Sequence, residues 1–405
     1  MIRVLLIAPA CDGEDVGESW LAFQWARELA ERSDVTVLTS YKAGHTPVSV
    51  QLPGVRVIEW AEPPFVGRFE RLNSLMQPGY VPFYARARRW IRAMLAAGEH
   101  FDVAHQVVPV AMRYPSPAAG LGIPMIIGPV GGSLGSPASF APEEGATPWY
   151  QRLRGLDGLR MRHDPLLRRT YESADLVIAI APYVADFLDR LAIKRLAFMS
   201  ETAVHDVQAP IDRVGRPGPV RLLHVGRTVR TKGLRDVIRA MGLLGDLDVV
   251  LDVVGDGNDR AACEALAGEL GLGERVAFHG ALPRAAVDAF YERADIFVFP
   301  SYREPGGNVA LEAMAFSLPV IVCDRGGPAA NVNDTCAVVL PAASPQQLAV
   351  DVAGAVRALV TDPDRRHRMG AAARDHVVAT HVWPRRFDRM LGFYGEVSDR
   401  PPSSS

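Results

Sequence analysis

The stretch SYREPGGNVALEAMAFSLPVI, Ser301 to Ile321, places two carboxylates, Glu304 and Glu312, with seven residues between them that include a glycine pair. Ionised carboxylates accept hydrogen bonds and donate none, so two of them beside a Gly-rich helix start suit a ligand rich in hydroxyls. VALEAMAF has high helix propensity, Asn308 is a preferred cap residue, and Pro319 closes the segment, which puts Glu304 on a loop and Glu312 inside a helix. The amides of Gly306, Gly307 and the first helical turn also offer an anion site at the positive end of the helix dipole. A carboxylate facing a phosphate charge at ~4 Å and an effective dielectric of ~20 costs about 4 kcal/mol. Glu304 and Glu312 are therefore expected to turn away from those amides, toward hydroxyls.

Cations come from LLHVGRTVRTKGL, Leu222 to Leu234, where a strand runs into a glycine turn carrying Arg227 and Lys232, with Arg230 as a third candidate. An Arg fork and a Lys point charge complement a pyrophosphate, each charge-assisted hydrogen bond contributing roughly 1.5 to 3 kcal/mol. With the helix N-terminus, they could stand in for a metal ion. Taken alone, the segment reads equally as a solvated basic turn; beside the Glu segment, it reads as the diphosphate half of a sugar-nucleotide site.

Strand-GR-x4-KG followed by FPSYREPGGNVALEAMAFSLPVI resembles the retaining glycosyltransferases of family 4, over most of the C-terminal half. The resemblance implies a GT-B fold and transfer of a sugar from a nucleotide-diphosphate donor, UDP- or GDP-linked, with retention and without a bound metal or other cofactor. It implies that Arg227 and Lys232 hold the donor pyrophosphate, Glu304 the hydroxyls of the transferred sugar and Glu312 those of the ribose. Gly307 would let the backbone approach the donor, with Gly306 and Asn308 beside it. The chain departs from the family's pattern at Gly306, where a Phe is usual, and at Ser317, where a Gly is usual. A serine in a left-handed C-cap costs about 1 kcal/mol relative to glycine, and Gly306 alters one wall of the sugar pocket.

The elements that must position these residues follow from periodicity. Apolar runs RVLLIA, DVTVLT, VRVIEW, DVAH, PMIIG and DLVIAI in the first half, and VRLLHV, LDVVLDVVG, RVAFHG, DIFVFP, PVIVCD and CAVVL in the second, alternate with helical patterns. That is the signature of parallel sheets wound with helices. The chain is long enough for two cores, with about 150 residues per domain as the usual size. The expected class is α/β: two Rossmann-like, doubly wound domains, which the GT-B resemblance sets facing each other across a cleft. The expected organisation is an acceptor-binding domain over 1–205, a Pro- and Gly-rich linker over 206–219, a donor-binding domain over 220–383, a helix over 384–398 crossing back to the first domain, and a disordered tail over 399–405.

Ligands of wound sheets bind at the carboxyl ends of strands, and three places in the first half meet that rule. PACDGEDVGES carries Gly13 and Gly17 before a helix that Glu18 or Ser19 begins; its acids repel phosphate, so it is read as lining the cleft near the acceptor and donor sugar, against an exposed acidic surface loop. His105 follows DVA and is a candidate for proton traffic, against a packed structural histidine. GPVGGSLGSP, with Gly131 and Gly132, exposes backbone where many relatives carry a histidine, so proton removal there would fall to the leaving phosphate on the same face.

Other features are blander. With 44 basic and 46 acidic residues, nothing points to nucleic-acid binding. Cys11, Cys263, Cys323 and Cys336 form no CxxC pair, which argues against a zinc site or disulfide framework and fits a cytoplasmic protein. No run approaches the ~18 apolar residues of a spanning helix. Asp246-Leu-Asp248 precedes a strand and reads as a turn, and GDGNDR lacks the third glycine of a dinucleotide motif. Basic clusters in Phe83 to Leu95 and Tyr150 to Tyr171 fit either solvated faces or peripheral contact with anionic lipid at the inner face of the plasma membrane. The acceptor is accordingly a glycan, a lipid-linked saccharide or a small molecule. The rival reading is a nucleotide-sugar epimerase or a non-catalytic binder on the same fold.

Overall fold

The computed structural model describes residues 1–42, 44–62, 79–132, 134–145 and 157–398. Its strands, in chain order, are β1 (Arg3–Ala10), β2 (Asp34–Tyr41), β3 (Arg56–Ala61), β4 (Val103–Gln106), β5 (Met125–Val130), β6 (Leu176–Ala179), β7 (Leu196–Phe198), β8 (Val220–Val225), β9 (Val249–Val254), β10 (Val276–Phe278), β11 (Ile296–Phe299), β12 (Val320–Cys323) and β13 (Ala337–Leu340). They form a seven-stranded sheet of order β3-β2-β1-β4-β5-β6-β7 and a six-stranded sheet of order β10-β9-β8-β11-β12-β13. Every pairing is parallel. The expected α/β class with two doubly wound sheets is what the chain adopts. The central strands are continuous apolar runs because helices cover both faces: Val4 to Ala8 of β1 and Ile296 to Phe299 of β11 are buried throughout. β7, three residues at a sheet edge, carried too short a signal to be read in advance.

Chain order reverses between β1 and β4 in the first sheet and between β8 and β11 in the second. These are the switch points where wound sheets open a crevice at their carboxyl edge. Helix α1 (Glu18–Ala30) starts where Gly17 takes a left-handed φ of 69°, and buries Leu21, Ala22, Trp25, Ala26 and Leu29 along one stripe. In the second half, α2 (Leu234–Gly242) follows the β8 turn, α3 (Asn308–Ala315) follows the β11 loop, and α4 (Gly326–Ala330) follows β12.

The chain divides into one unit of Met1–Ser133, Trp149–Glu201 and Phe387–Ser405, and a second of Leu134–Pro148 and Thr202–Arg386. Two boundaries differ from those expected. The stretch 206–219 belongs to the second unit, because the Arg213 guanidinium is buried there and donates to the carbonyls of Ala294 (2.6 Å), Ser317 (3.1 Å), Tyr291 (3.0 Å) and Phe316 (2.8 Å). Burial holds its pKa down at about 10, yet it still caps the carbonyls that end α3. The second difference is a segment from the middle of the first unit, Leu134–Pro148, that packs with the second. Its Phe140 is fully buried, with ring centroids 4.1 Å from Tyr302. Residues 399–405, read as a tail, lie outside the described residues, as do 150–156 of the second basic cluster.

Candidate active site

The two loops that leave β8 and β11 flank the second switch point and carry the predicted donor residues. β8 ends at Val225, and Gly226 then turns with φ 149°. A Cβ on Gly255 would lie 1.9 Å from the Gly226 carbonyl, and one on Gly257 would lie 2.2 Å from that of Thr228. The glycines of GDGNDR therefore let that loop press against the basic turn and support it, a packing role in place of cofactor binding. Lys232 is buried on this turn, and Gly233, φ 78°, follows it directly under the Pro300 carbonyl. Arg227 is exposed; its carbonyl accepts from the Val229 amide at 2.8 Å, while its guanidinium makes no hydrogen bond or ion pair among the described residues.

Lys232 Nζ pairs with Glu304 Oε2, and Glu304 Oε1 accepts from the Gly307 amide at 3.4 Å. The structure thus brings together Lys232, Glu304 and Gly307 from two loops 72 residues apart. This corrects the expectation that Glu304 turns away from the glycine amides: its carboxylate lies against the helix start, where both the dipole and Lys232 favour negative charge. Asn308 is also corrected. It does not cap α3; Gly307, at φ 82°, occupies the cap position, and Asn308 is the first helical residue, its Oδ1 accepting from the Thr202 hydroxyl at 2.6 Å. A Cβ at Gly307 would lie 2.7 Å from the Pro328 nitrogen, so glycine is required there.

Glu312, further along α3, accepts from Tyr291 Oη at 3.0 Å and pairs with Arg284. It stands ready to accept further hydrogen bonds, but no contact joins it to Glu304. Gly306 is held from behind, its carbonyl accepting from Asn331 Nδ2 at 2.9 Å. Sequence reasoning missed this support: Cβ atoms on Gly326 and Gly327 would each come within 2.0 Å of the Glu304 and Gly306 carbonyls, respectively, so the Gly-Gly-Pro opening of α4 is what lets the β11 loop close. The glycine pair after a buried strand was the available signal.

Arg230 proves to be occupied. Its Nη1 and Nη2 bind Asp236 at 2.7 and 2.9 Å, its Nε binds Glu143 at 2.9 Å, and its guanidinium lies over the Phe140 and Tyr302 rings at 5.5 and 5.4 Å. Burial pushes its pKa down, but Asp236 above all, then Tyr302 and Glu143, reverse this and hold it above its ordinary value. It fastens the Leu134–Pro148 segment to the β8 turn and is not available to a diphosphate.

In the first unit, His105 is fully buried on β4. Nδ1 contacts Tyr394 Oη at 2.7 Å and Nε2 contacts the Gly128 carbonyl at 2.6 Å. Burial pushes its pKa down to about 4. With both ring nitrogens engaged inside the core it holds β4, β5 and the last helix together, and proton traffic is not its role. Gly131 is likewise packed, since a Cβ would lie 2.1 Å from Ile180 Cδ1, while the Gly132 amide donates to Tyr183 Oη at 3.1 Å. Gly13 lies against Phe23, 2.8 Å from a Cβ placed there, and Gly17 begins α1. The β1 loop also carries Asp12, whose carboxylate accepts from the Glu14 amide (2.9 Å), Gln51 Nε2 (3.0 Å) and His45 Nδ1 (2.8 Å). That pair was not foreseen, because His45 lies 33 residues away on another loop. Asp246 pairs with Arg357 before β9, the turn expected of it.

Two doubly wound parallel sheets, the second with Lys232, Glu304 and the Gly307 amide brought together at its switch point, define a two-sheet α/β protein of the GT-B class. Residues 212–376 match the family model of glycosyl transferases group 1, and residues 17–198 match that of a glycosyl transferase 4-like domain. The chain belongs to the glycosyl transferases of group 1 and is a glycosyltransferase enzyme. It is 29% identical over 94% of its length to 90% of a D-inositol 3-phosphate glycosyltransferase of Nocardiopsis dassonvillei. It is 34% identical to a 2-deoxystreptamine glucosyltransferase of Streptomyces kanamyceticus, over 53% of each chain. Among solved structures it resembles Anabaena Alr3699/HepE in complex with UDP, with a TM-score of 0.64 at 16% identity over 98% of this chain and 100% of that one.

Proposed function

We propose that this enzyme moves a sugar from a UDP- or GDP-linked donor to a hydroxyl of its acceptor with retention, as family 4 enzymes do, and without a metal. The carrying observation is the Lys232–Glu304–Gly307 cluster at the switch point of the second sheet. A diphosphate arriving there meets Lys232, the exposed Arg227 fork and the first amides of α3. Glu304 and Glu312 then accept from sugar and ribose hydroxyls. UDP is favoured as the carrier, since the HepE neighbours were solved with UDP and with UDP-glucose. In transfer, the bond from the anomeric carbon to the phosphate oxygen breaks, that carbon bonds to the acceptor oxygen, and the acceptor's proton passes to the departing phosphate on the same face.

The relatives' names specify 2-deoxystreptamine and D-inositol 3-phosphate, small polyhydroxylated rings, which supports a small-molecule acceptor over a glycan or lipid-linked saccharide. No helix among the described residues is long and apolar enough to cross a membrane. A cytoplasmic enzyme is the reading we adopt, and any lipid contact would run through the exposed Arg86, Arg89 and Arg92 of the helix Tyr80–Ala96. Calorimetry against UDP, GDP, ADP and dTDP, followed by turnover of the matching glucose donor with each ring compound, tests the proposal. Interconversion of a free nucleotide sugar with no acceptor present would support the epimerase instead.

A further inference from the structure

The loops leaving β1 and β2 build a second hydrogen-bonding device, at the carboxyl edge of the first sheet. Asp12 is 7% exposed, and its carboxylate can only accept, so the His45 nitrogen that it holds at 2.8 Å, Nδ1, carries the proton. Nε2 is then a lone-pair acceptor. It has no partner among the described residues, and the His45 side chain is 38% exposed. The arrangement is braced from both sides by Gln51. Its Nε2 donates to Asp12 at 3.0 Å and to the Thr46 carbonyl at 2.7 Å, and its Oε1 accepts from the Gly13 amide at 2.7 Å. A Cβ on Gly13 would lie 3.0 Å from that same Oε1 and 2.8 Å from Phe23, so glycine allows the β1 loop to reach its brace. Burial pushes the Asp12 carboxyl up, but the Glu14 amide, Gln51 and His45 together bring it below its ordinary value, so it stays ionised. A buried carboxylate, a fixed imidazole tautomer and a free outer nitrogen are what orient a histidine toward a hydroxyl.

We propose that His45, oriented by Asp12, is an acceptor-binding residue: its Nε2 takes a hydrogen bond from a hydroxyl of a polyhydroxylated ring acceptor and fixes that ring for transfer. The inference rests on the glycosyl-transfer reading for the word acceptor. The reacting hydroxyl's proton still goes to the leaving phosphate, and His45 holds a neighbouring hydroxyl. Charge around the device narrows the class. Asp12, Glu14, Asp15 and Glu62 stand there against Lys42, which Asp15 already pairs, so a neutral or amino-bearing ring is favoured over a phosphorylated one.

Long-range proton–nitrogen spectra of the full, nitrogen-labelled chain report the His45 tautomer and its surroundings. The Nδ1-protonated form is expected in the native protein and a relaxed tautomer preference in Asp12→Asn. Addition of 2-deoxystreptamine, with and without UDP, should move the Nε2 resonance, and D-inositol 3-phosphate should move it less. With UDP-glucose as donor, His45→Phe, which keeps the ring but removes the accepting nitrogen, should raise the KM for 2-deoxystreptamine about tenfold, the size of one net hydrogen bond, while UDP affinity stays unchanged. An Nε2-protonated His45, or an Nε2 resonance that neither ring moves, overturns the proposal, as does a KM that His45→Phe leaves unchanged. A saturable response of the same resonance to Zn2+ in place of the rings also overturns it, since the ligand atoms of Asp12, Glu14 and His45 lie within 4.8 Å of one another. If UDP fails to bind while the ring still shifts His45, the donor reading fails and this one stands.

Discussion

Lys232 and Glu304 form an ion pair across the switch point of the second sheet, joining the loop after β8 to the loop after β11. The pair places the site's buried cation and one of its two acids in the same square of space. A diphosphate and a sugar would have to divide between them: phosphate oxygens compete with Glu304 for the ammonium, and sugar hydroxyls compete with Lys232 for the carboxylate. The two residues are therefore expected to separate cleanly in their mutant phenotypes.

Lys232→Ala removes a charge-assisted contact worth about 1.5 to 3 kcal/mol, so UDP affinity by calorimetry should fall about 10- to 100-fold. Glu304→Gln removes the competing carboxylate, so UDP should bind as well or more tightly while turnover of the donor is lost. Equal weakening of UDP by both substitutions would contradict the assignment.

Arg230 and Asp236 are buried together, with side chains 4% and 0% exposed. Replacing Asp236 by Ala strands the guanidinium and should cost about 3 to 5 kcal/mol in urea unfolding. Glu143→Gln, at the more exposed end of the same network, should cost much less. Similar costs for the two would mean that the network is not centred on Asp236.

Ser317 is the sole non-glycine residue at positive φ among those described, at 57°, and its buried hydroxyl has no hydrogen-bond partner. Ser317→Gly relieves both penalties at the end of α3 and should raise stability by about 1 kcal/mol. A lower melting temperature would show that the serine is held there for another reason.

His105 and His224 are both buried, and burial lowers each pKa to about 4 from an ordinary value of 6.5. Between those limits the unfolded chain binds protons that the folded chain does not, so stability should fall as pH drops from about 6.5 toward 4. His105→Asn, which keeps a side chain able to donate and accept, should flatten part of that slope in urea unfolding at pH 7 and pH 5. An unchanged slope would place the proton uptake elsewhere.

The strands of both sheets, save β7, the class of the fold and the placing of Arg227, Lys232 and Glu304 on the turns after two strands, with Glu312 in a helix, could be read from residue order, because apolar periodicity and glycine-flanked charges are local signals. Which charges are free was a different matter. Arg230 and Lys232 look alike in RTKG, yet the first is consumed by Asp236 and by Glu143 of a distant segment, and the second is presented at the switch point. His105 sits at a strand end as a catalytic histidine would, and only packing against Tyr394 shows it to be core. His45 carries no motif at all until the β2 loop folds over Asp12. Burial and pairing between loops far apart in sequence depend on how the sheets order their strands, and no local pattern encodes that.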